Sequence, residues 1–308
     1  MKQIEFKRIS PKVKQLSEND NQKILVNPYH GCSHNCLFCP ANDGFLKKKA
    51  FDNYRNNGTI YVVENIVDHV ASYISVNNNP HKTVHLSPVA DPFQPTEARF
   101  RLSEAVIRCC SEINVPVAIC TKGFLPLNIV KQIENLKHSF VQISIPTINA
   151  DKHKLVVRGD GAQLLQLFET IDELVRHNIP VIARIDPIYP YITDDLCEFE
   201  ELVKKLKSMN VSYIMSSVAD LVDGALEREK DFLEQVQEGM YQKYMNLYAD
   251  WINNRWHAAI NYREDLFTKQ MNLCKDLELS YGITWEPDLD GNSINNLYSY
   301  INKGGLHV

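Results

Sequence analysis

The sequence of 308 residues has no apolar run that approaches the roughly 20 residues a membrane-spanning helix needs. Residues 1–20 are polar and charged, so we expect no signal peptide. Eight cysteines in a chain of this length are too few for the disulfide framework of a small secreted domain. Together these absences predict a reduced, cytoplasmic protein.

An excess of positive charge is also lacking, because 38 Asp and Glu residues outnumber 33 Lys and Arg residues. The formal net charge of −5 provides no global attraction to nucleic acid. The local run Lys47, Lys48 and Lys49 leaves two interpretations open, a solvated loop, which we favour, and a phosphate contact. Internal repeats and low-complexity segments are absent, and 44% hydrophobic residues are enough for one large domain with a substantial core.

Three of the cysteines are clustered. Cys32, Cys36 and Cys39 form a C-x3-C-x2-C run. Three thiolates this close can hold three irons of a cubane cluster, because soft sulfur ligands select iron–sulfur clusters, zinc or copper(I). No fourth cysteine follows at ferredoxin spacing, so one iron is left open to a ligand that is not protein.

Zinc is the alternative for this run. The three thiolates together with His30 or His34 supply four zinc ligands, but structural zinc sites usually pair two separated knuckles. The sequence has no second knuckle. We therefore favour the cluster, and the runner-up is a non-catalytic zinc- or Fe–S-binding interaction protein.

Residues 24–217 alternate short β-branched runs with amphipathic helical stretches, which predicts an α/β fold built from parallel βαβ units. The six predicted strands are residues 24–27, 83–87, 116–121, 140–145, 181–186 and 211–216. Six such units suggest a partial (β/α)6 barrel over residues 24–217. Residues 1–23 would precede it as an extension, and residues 218–308 would pack on it as a helical C-terminal region.

Apolar residues at helical spacing define the predicted helices. The stripes are Ile66, Val67, Val70, Ala71 and Ile74, then Leu164, Leu165, Phe168, Ile171, Leu174 and Val175, then Tyr241, Tyr244, Leu247, Tyr248, Trp251 and Ile252. Thr193, followed by two acids, is a predicted N-cap. Residues 218–282 are predicted to be helical throughout, and residues 283–287 to form a last short strand or extended tail.

The cysteine run resembles that of the radical S-adenosylmethionine (SAM) superfamily. There, three cysteines at this spacing hold a [4Fe–4S] cluster, and SAM chelates the fourth iron through its amino and carboxylate groups. Phe38 stands just before the third cysteine, where the superfamily usually carries an aromatic residue. The resemblance implies the same partial barrel that the strand pattern predicts.

The resemblance narrows to a group related to the spore photoproduct lyases, often described as DNA-repair photolyase-like. Residues 27–36, NPYHGCSHNC, are similar to its N-P-Y-x-G-C-x-H-x-C opening. The other similar segments are ADPFQPTE at 90–97, TKG at 121–123, ARIDPIYPYITD at 183–194 and GITWEPD at 282–288. The similarity thus extends over about residues 24–290.

Polar side chains stand at the carboxyl ends of five predicted strands, the edge at which parallel barrels gather their chemistry. They are Ser87 and Asp91, Thr121 and Lys122, Ser144 and Thr147, Arg184 and Asp186, and Ser216 and Ser217. Any one of them could simply cap a strand. Five polar ends at one mouth instead suit the carboxylate, ammonium, ribose and adenine of SAM.

The resemblance also implies roles for individual residues. Cys32, Cys36 and Cys39 would ligate the cluster, and Asp91 is a candidate catalytic residue. The candidate cofactor-binding residues are Phe38, Ser87, Lys122, Ser144, Arg184 and Asp186.

Two departures from the group matter. Spore photoproduct lyases carry a cysteine near the end of the second strand that returns a hydrogen atom to the product radical, whereas Ser87, Pro88 and Val89 stand here. Neither Ser nor Pro is a good hydrogen donor. Cys120 is a candidate replacement donor or, alternatively, a core residue. The group's usual Glu-Pro after the fourth strand is replaced by VVRGDGA at residues 156–162.

The sequence therefore predicts a radical SAM enzyme that reductively cleaves SAM and abstracts hydrogen from its substrate. It lacks the Cys-rich C-terminal extension that holds auxiliary clusters in peptide-modifying relatives, so one cluster is expected. The resemblance favours a nucleobase or nucleic acid as substrate, with a small metabolite or a peptide as the alternative. It also implies an electron donor such as flavodoxin or ferredoxin.

Overall fold

The structure is a computed structural model that describes residues 4–9, 16–19, 23–39, 54–77, 82–87, 89–284 and 286. The strands are β1 Glu5–Ile9, β2 Leu16–Asn19, β3 Lys23–Val26, β4 Tyr29–His30, β5 Thr59–Val63, β6 Thr83–Leu86, β7 Val117–Thr121, β8 Phe140–Ser144, β9 Val181–Ile188, β10 Tyr213–Val218, β11 Tyr248–Ile252, β12 Arg255–Ala258 and β13 Ser280–Ile283. The helices are α1 Tyr54–Asn57, α2 Ile66–Asn77, α3 Glu97–Phe100, α4 Leu102–Glu112, α5 Leu127–Glu134, α6 Ala150–Val156, α7 Leu164–Arg176, α8 Leu196–Ser208, α9 Ala225–Arg228, α10 Lys230–Val236, α11 Met240–Leu247 and α12 Ile260–Asp276.

The main sheet has eight strands in the order β13-β10-β9-β8-β7-β6-β3-β2. Seven of them are parallel, and β2 pairs antiparallel with β3 at one edge. The six predicted strands are all present, with ends that differ by one or two residues, and β13 adds the seventh parallel strand. The predicted α/β partial barrel is confirmed.

The two faces of this sheet bury different side chains. The outer face of the sheet packs against helices and forms the large hydrophobic core. The helices that cover it are, in chain order, α2, α4, α5, α7, α8 and α12. The inner face carries a separate small cluster of Ala118, Phe140, Ile182, Tyr213 and Met215. Because side chains alternate along a strand, residues two and four positions further on also face inward. The inner face therefore continues toward the carboxyl edge with polar residues.

Four strands in the first part of the chain, β1, β2, β4 and β5, are additions that the sequence pattern does not predict. β1 pairs in parallel with β5, with Glu5 opposite Thr59, and β4 pairs antiparallel with the other edge of β5. The result is a small three-stranded sheet beside the barrel. Its strands come from three separate stretches of the chain, so no local pattern specifies their pairing.

The prediction of continuous helix over residues 218–282 is wrong for two segments. Helices α9 to α12 are present, but β11 and β12 form an antiparallel hairpin, and β13 begins at Ser280, three residues before the predicted last strand. Asn253 and Asn254 both have positive φ values, 51° and 62°, which suits a two-residue hairpin turn. Trp251 and Trp256 pack across the hairpin with ring centroids 4.9 Å apart. The predicted aromatic stripe thus ends with α11.

Two helix details also differ from the prediction. α8 begins two residues later than predicted, with Asp195 as its N-cap: the carboxylate accepts from the backbone N–H groups of Cys197 at 2.8 Å and Glu198 at 3.0 Å. The Thr193 hydroxyl instead accepts from the backbone N–H of Tyr189. In α7, Leu165 is 68% exposed. It stands in the first turn, on the solvent side of the buried stripe.

Some predictions concern residues that the structure does not describe. Lys47, Lys48 and Lys49 lie outside the described residues, as do most of residues 284–290. Among the residues that the structure does describe, no helix is long and apolar enough to cross a membrane.

Substitutions of Leu165 and Leu167 in α7 test which face of this helix packs against the core. Leu167 is fully buried, whereas Leu165 is exposed. We expect Leu167→Ala to lower the free energy of unfolding by about 2–5 kcal/mol through lost burial and a residual cavity. Leu165→Ala should change it by no more than about 0.5 kcal/mol. Urea unfolding followed by circular dichroism compares them, and equal losses would contradict the observed helix phase.

Candidate active site at the carboxyl ends of the strands

The three clustered cysteines lie on the loop that follows β4, which we call the Cys loop (residues 31–39). Cys32 is buried, Cys36 and Cys39 are half-buried, and all three are free thiols. Burial raises the pKa of Cys32, and negative charge on Cys36 and Cys39 raises it further, so the thiols lie within electrostatic reach of one another. In the described part of the chain, no three His, Cys, Asp or Glu side chains already converge at metal-ligand spacing.

The first half of the Cys loop is held by one side chain. The Gln94 amide donates to the carbonyl of Gly31 at 3.0 Å and accepts from the N–H of Ser33 at 3.0 Å. Gly31 has φ +89°, and a Cβ there would lie 2.7 Å from the carbonyl oxygen of Thr59. Glycine is therefore required at this turn, and Gln94, in the loop after β6, secures the backbone on either side of Cys32.

The second half of the loop rests on residues 156–162, the segment that replaces the group's usual Glu-Pro. Leu37 donates to the carbonyl of Val156 at 2.8 Å, and Gly159 donates to the carbonyl of His34 at 2.8 Å. A Cβ at Gly159 would stand only 1.9 Å from the carbonyl oxygen of Ser33. This glycine lets the two backbones approach, so the segment acts as a cradle for the Cys loop.

The chemistry of the donor set fits an iron–sulfur cluster. Burial raises the pKa of Cys36 to about 12, although the charge of Lys122 opposes the shift. Thiolates rather than thiols bind metal, so cluster binding would displace these protons, and the positive irons would compensate the buried negative charge. Three soft sulfur donors are what such a cluster requires.

Asp91 lies at the junction of three backbone segments. Its carboxylate accepts from the N–H of Phe93 at 2.9 Å, the hydroxyl of Thr121 at 2.7 Å and the N–H of Lys122 at 2.6 Å. Its Oδ2 also lies 3.4 Å from His34 Nδ1, and burial lowers the pKa of that imidazole. The structure thus places this candidate catalytic residue in a network that links the Cys loop to the end of β7.

Charged side chains meet on the inner face beyond the small apolar cluster. Arg184 forms an ion pair with Asp186 and donates to the side-chain amide oxygen of Gln142, Oε1, at 2.8 Å. Ser217 donates to Asp186 Oδ1 at 2.7 Å. Burial by itself raises the pKa of Asp186, but the charges of Arg184 and Lys122 outweigh it and hold that pKa below its usual value. Asp186 is therefore an anion at neutral pH.

Lys122 belongs to the same group. Burial by itself lowers its pKa, but negative charge on Cys36 and Asp186 outweighs this and raises it. Its Nζ donates weakly to the backbone carbonyl of Asp186, at 3.5 Å. A half-buried ammonium thus stands between the Cys loop and the inner-face carboxylate, where an anionic group of a ligand would find a partner.

Three further predicted residues lie at this edge. Ser144 is buried at the end of β8, and Cys120 on β7 is half-buried opposite Gln142. Ser87 follows β6 with φ 55° and is buried, and its hydroxyl has no hydrogen-bond partner among the described residues. Because Leu86 pairs with Ile119, Ser87 stands beside Cys120 across neighbouring strands. The Ser87 hydroxyl is available to a ligand.

The Phe38 ring is buried among other aromatic side chains. Phe38 has φ 52° and packs against Tyr189 and Tyr244, with ring centroids 6.4 Å and 5.7 Å apart. The Tyr189 hydroxyl donates to the carbonyl of Leu37 at 3.0 Å. These rings anchor the end of the Cys loop to β9 and α11, and a role of Phe38 in cofactor binding stays a prediction.

Sequence reasoning missed several residues of this site. Gln142 shares the inner face with Arg184 and Asp186, and strand alternation from Ser144 would have indicated it. Gln94 lies inside a segment similar to the family's, yet only the structure shows that it holds the Cys loop. Thr284, whose hydroxyl lies 3.5 Å from Arg184 Nη2, comes from the stretch after β13. It lies inside a segment similar to the group's, 282–288, but only the structure places it beside Arg184.

The fold and the sulfur-rich site together define the class. The sequence profile of the Radical SAM superfamily matches residues 26–206, more than half of the chain, from just before the Cys loop into α8. The chain belongs to the radical SAM superfamily. Enzymes of this family use a [4Fe–4S] cluster and SAM, and they need a reductant.

Relatives by sequence are distant. An uncharacterized protein of Methanocaldococcus jannaschii is 24% identical over 226 residues, which are 73% of this chain and 80% of that protein. An uncharacterized protein of Mycobacterium tuberculosis is 23% identical over 192 residues, 60% of this chain. The match spans about half of the mycobacterial protein, 55% of its length.

Solved structures share the fold. A spore photoproduct lyase mutant with bound AdoMet and dinucleoside spore photoproduct gives a TM-score of 0.60 at 12% identity, covering 90% of this chain and 81% of that one. The radical SAM methyltransferase TsrM from Kitasatospora setae, with cobalamin and a [4Fe–4S] cluster bound, gives 0.56 at 10% identity, covering 92% and 57%. At these identities the likeness concerns the fold alone.

The network around Asp91 generates a prediction for the protein without its cofactors. Asp91→Ala leaves the N–H groups of Phe93 and Lys122 and the Thr121 hydroxyl without their acceptor, and each buried unpaired donor costs about 1–3 kcal/mol. We expect a clear fall in the urea unfolding midpoint. Asp265→Ala, which removes an exposed helical ion pair with Lys269, is the control and should cost about 0.5 kcal/mol. An equal effect of both would contradict the anchoring role.

Proposed function

We propose that this radical SAM enzyme cleaves SAM reductively at a single [4Fe–4S] cluster held by Cys32, Cys36 and Cys39. The observation that carries the proposal is the position of these three thiols beside the buried polar groups of the inner face. When bound, the cluster and SAM supply a 5′-deoxyadenosyl radical that removes hydrogen from an unreactive C–H bond. The protein's part is to hold both and to exclude water.

The inner-face residues are assigned as follows. Lys122 pairs with the SAM carboxylate, because it is a half-buried cation next to the Cys loop. Asp186, held as an anion by Arg184, accepts hydrogen bonds from the SAM ammonium or ribose. Ser87 and Ser144 supply neutral hydroxyl groups at the same edge. The apolar cluster that includes Phe140 keeps water from the reacting carbon.

We propose a nucleobase or nucleic acid as the substrate class, with a small metabolite or peptide as the alternative. The support is the likeness to spore photoproduct lyase structures that contain a dinucleoside, which extends over 90% of this chain. Ser87 argues for a different final step, because a serine O–H bond is a poor source of hydrogen atoms. The reaction would then differ from spore photoproduct repair.

Cys120 is proposed as the hydrogen donor in that step. It lies beside Ser87 on the neighbouring strand and faces inward with Gln142. Its S–H bond would break as the product radical gains the hydrogen atom. An electron from the protein that supplies the enzyme's reductant, together with a proton from water, would restore the thiol. Asp91, which accepts from two backbone N–H groups and the Thr121 hydroxyl, serves as an organising residue in this proposal.

Anaerobically reconstituted protein mixed with dithionite and SAM tests the proposed activity. We expect 5′-deoxyadenosine together with about four irons and equal sulfide per chain, the content of one cluster. Cys36→Ala should abolish the nucleoside product, whereas Cys274→Ala, which changes a buried cysteine outside the site, should retain it. Zinc without iron after reconstitution would favour the binding protein instead. Undiminished cleavage by the Cys36→Ala variant would contradict the ligand assignment.

A mobility shift with single- and double-stranded oligonucleotides tests the substrate class. The net charge of −5 predicts weak binding that depends on local contacts, so a shift should appear at about 50 mM salt and weaken at about 200 mM. The absence of a shift at both salt concentrations would count against nucleic acid and in favour of a small metabolite or peptide.

A further inference from the structure

A buried group of three charges lies beside the Cys loop and takes no part in the proposed SAM contacts. Glu229, in the turn between α9 and α10, accepts from Arg55 Nη1 at 2.6 Å. It also accepts from Arg158 Nη1 at 2.7 Å and Nη2 at 2.8 Å. The Glu229 side chain is 6% exposed, and those of Arg55 and Arg158 are 15% and 20% exposed. We call these residues the Arg–Glu–Arg triad.

The triad is attached to the Cys loop at two points. Arg55 Nη2 donates to the backbone carbonyl of Cys36 at 2.8 Å. Val157, the neighbour of Arg158, pairs with Cys36 in an isolated antiparallel bridge. Arg158 is itself fixed from the other side, with its guanidinium 4.9 Å from the ring centroid of Phe232. Both guanidinium groups are therefore held close to one predicted cluster ligand.

Stability alone is a weak reason for this arrangement. A buried ion pair or triad rarely stabilises a protein more than well-packed apolar residues of similar volume would, because desolvation of the charges opposes their attraction. Two guanidinium cations and one carboxylate leave one net positive charge, and a largely buried charge is screened little by salt. Net charge and nearby hydrogen bonds are among the factors that set the reduction potential of an iron–sulfur cluster.

We propose that the Arg–Glu–Arg triad sets the reduction potential of the cluster on the Cys loop: the guanidinium charges of Arg55 and Arg158 raise the potential, and the Glu229 carboxylate lowers it. The inference rests on the proposed function, because it presupposes that the loop binds a cluster. Arg55, Arg158 and Glu229 are positioning residues, since they act through the Cys36 backbone and through their charge. The carboxylate limits the effect by cancelling one of the two cations.

Charge-changing variants separate this role from a purely structural one. Glu229→Gln leaves two net positive charges, so the cluster's reduction potential should shift to a more positive value. Arg158→Gln leaves none, so the potential should shift to a more negative value. Both variants break the same ion pair, and loss of structure alone would move them in one direction. The potential is measured by anaerobic redox titration, followed by absorbance and electron paramagnetic resonance, on protein with confirmed iron content.

Three further proteins complete the comparison. Arg158→Lys keeps the charge and should stay near the wild-type potential, even though a lysine cannot reproduce the bidentate contact. The double variant Arg158→Gln/Glu229→Gln restores one net positive charge and should also lie near wild type. Asp172→Asn, in an exposed ion pair with Arg176 on α7, should leave the potential unchanged.

The outcomes are distinct. Opposite shifts in the two single variants, cancelled in the double variant, would support the proposal. Shifts of the same sign, no shift in either, or an Arg158→Lys shift as large as that of Arg158→Gln would overturn it. A wild-type protein that binds a cluster yet yields no 5′-deoxyadenosine would overturn the proposed function alone. Failure of the wild-type protein to assemble any cluster would overturn both.

Discussion

The Cys loop depends on hydrogen bonds from outside itself, and the rest of the site depends on that loop. Residues 31–39 form no helix and only one isolated bridge, so their backbone groups need partners elsewhere. Gln94 supplies them on one side and the VVRGDGA cradle on the other, where Gly159 permits a contact that any side chain would block. The thiols are placed only when these distant segments have folded around them.

The inner face of the barrel shows a second constraint, the cost of burying charge. Lys122, Arg184 and Asp186 are all largely buried, and each is kept ionised by the others rather than by water. Desolvation of these charges costs free energy that largely offsets their mutual attraction, so the network contributes little net stability. Its position at the carboxyl edge is best explained by ligand binding. The apolar cluster below it excludes water, which strengthens every electrostatic contact above.

Much of this could be predicted from the sequence where the signal is local. Short β-branched apolar runs and helical stripes located the six strands of the barrel and its covering helices, and the spacing of Cys32, Cys36 and Cys39 indicated the cofactor chemistry. Local patterns failed where another part of the chain decided the outcome. Residues 248–258 continue an aromatic helical pattern, but two asparagines with positive φ turn them into a hairpin. β1 becomes a strand only because β5 pairs with it.

The sequence by itself determined the superfamily and the order of βα units, because the cysteine spacing and the hydrophobic pattern depend only on residues that are close together in the chain. Only the tertiary structure decided which side chains surround the thiols. Glu229 meets Arg55 and Arg158 from a separate turn, and Gln142 meets Arg184 across two strands. These contacts join residues far apart in the chain, and their geometry depends on how the sheet, the loops and the helices pack together.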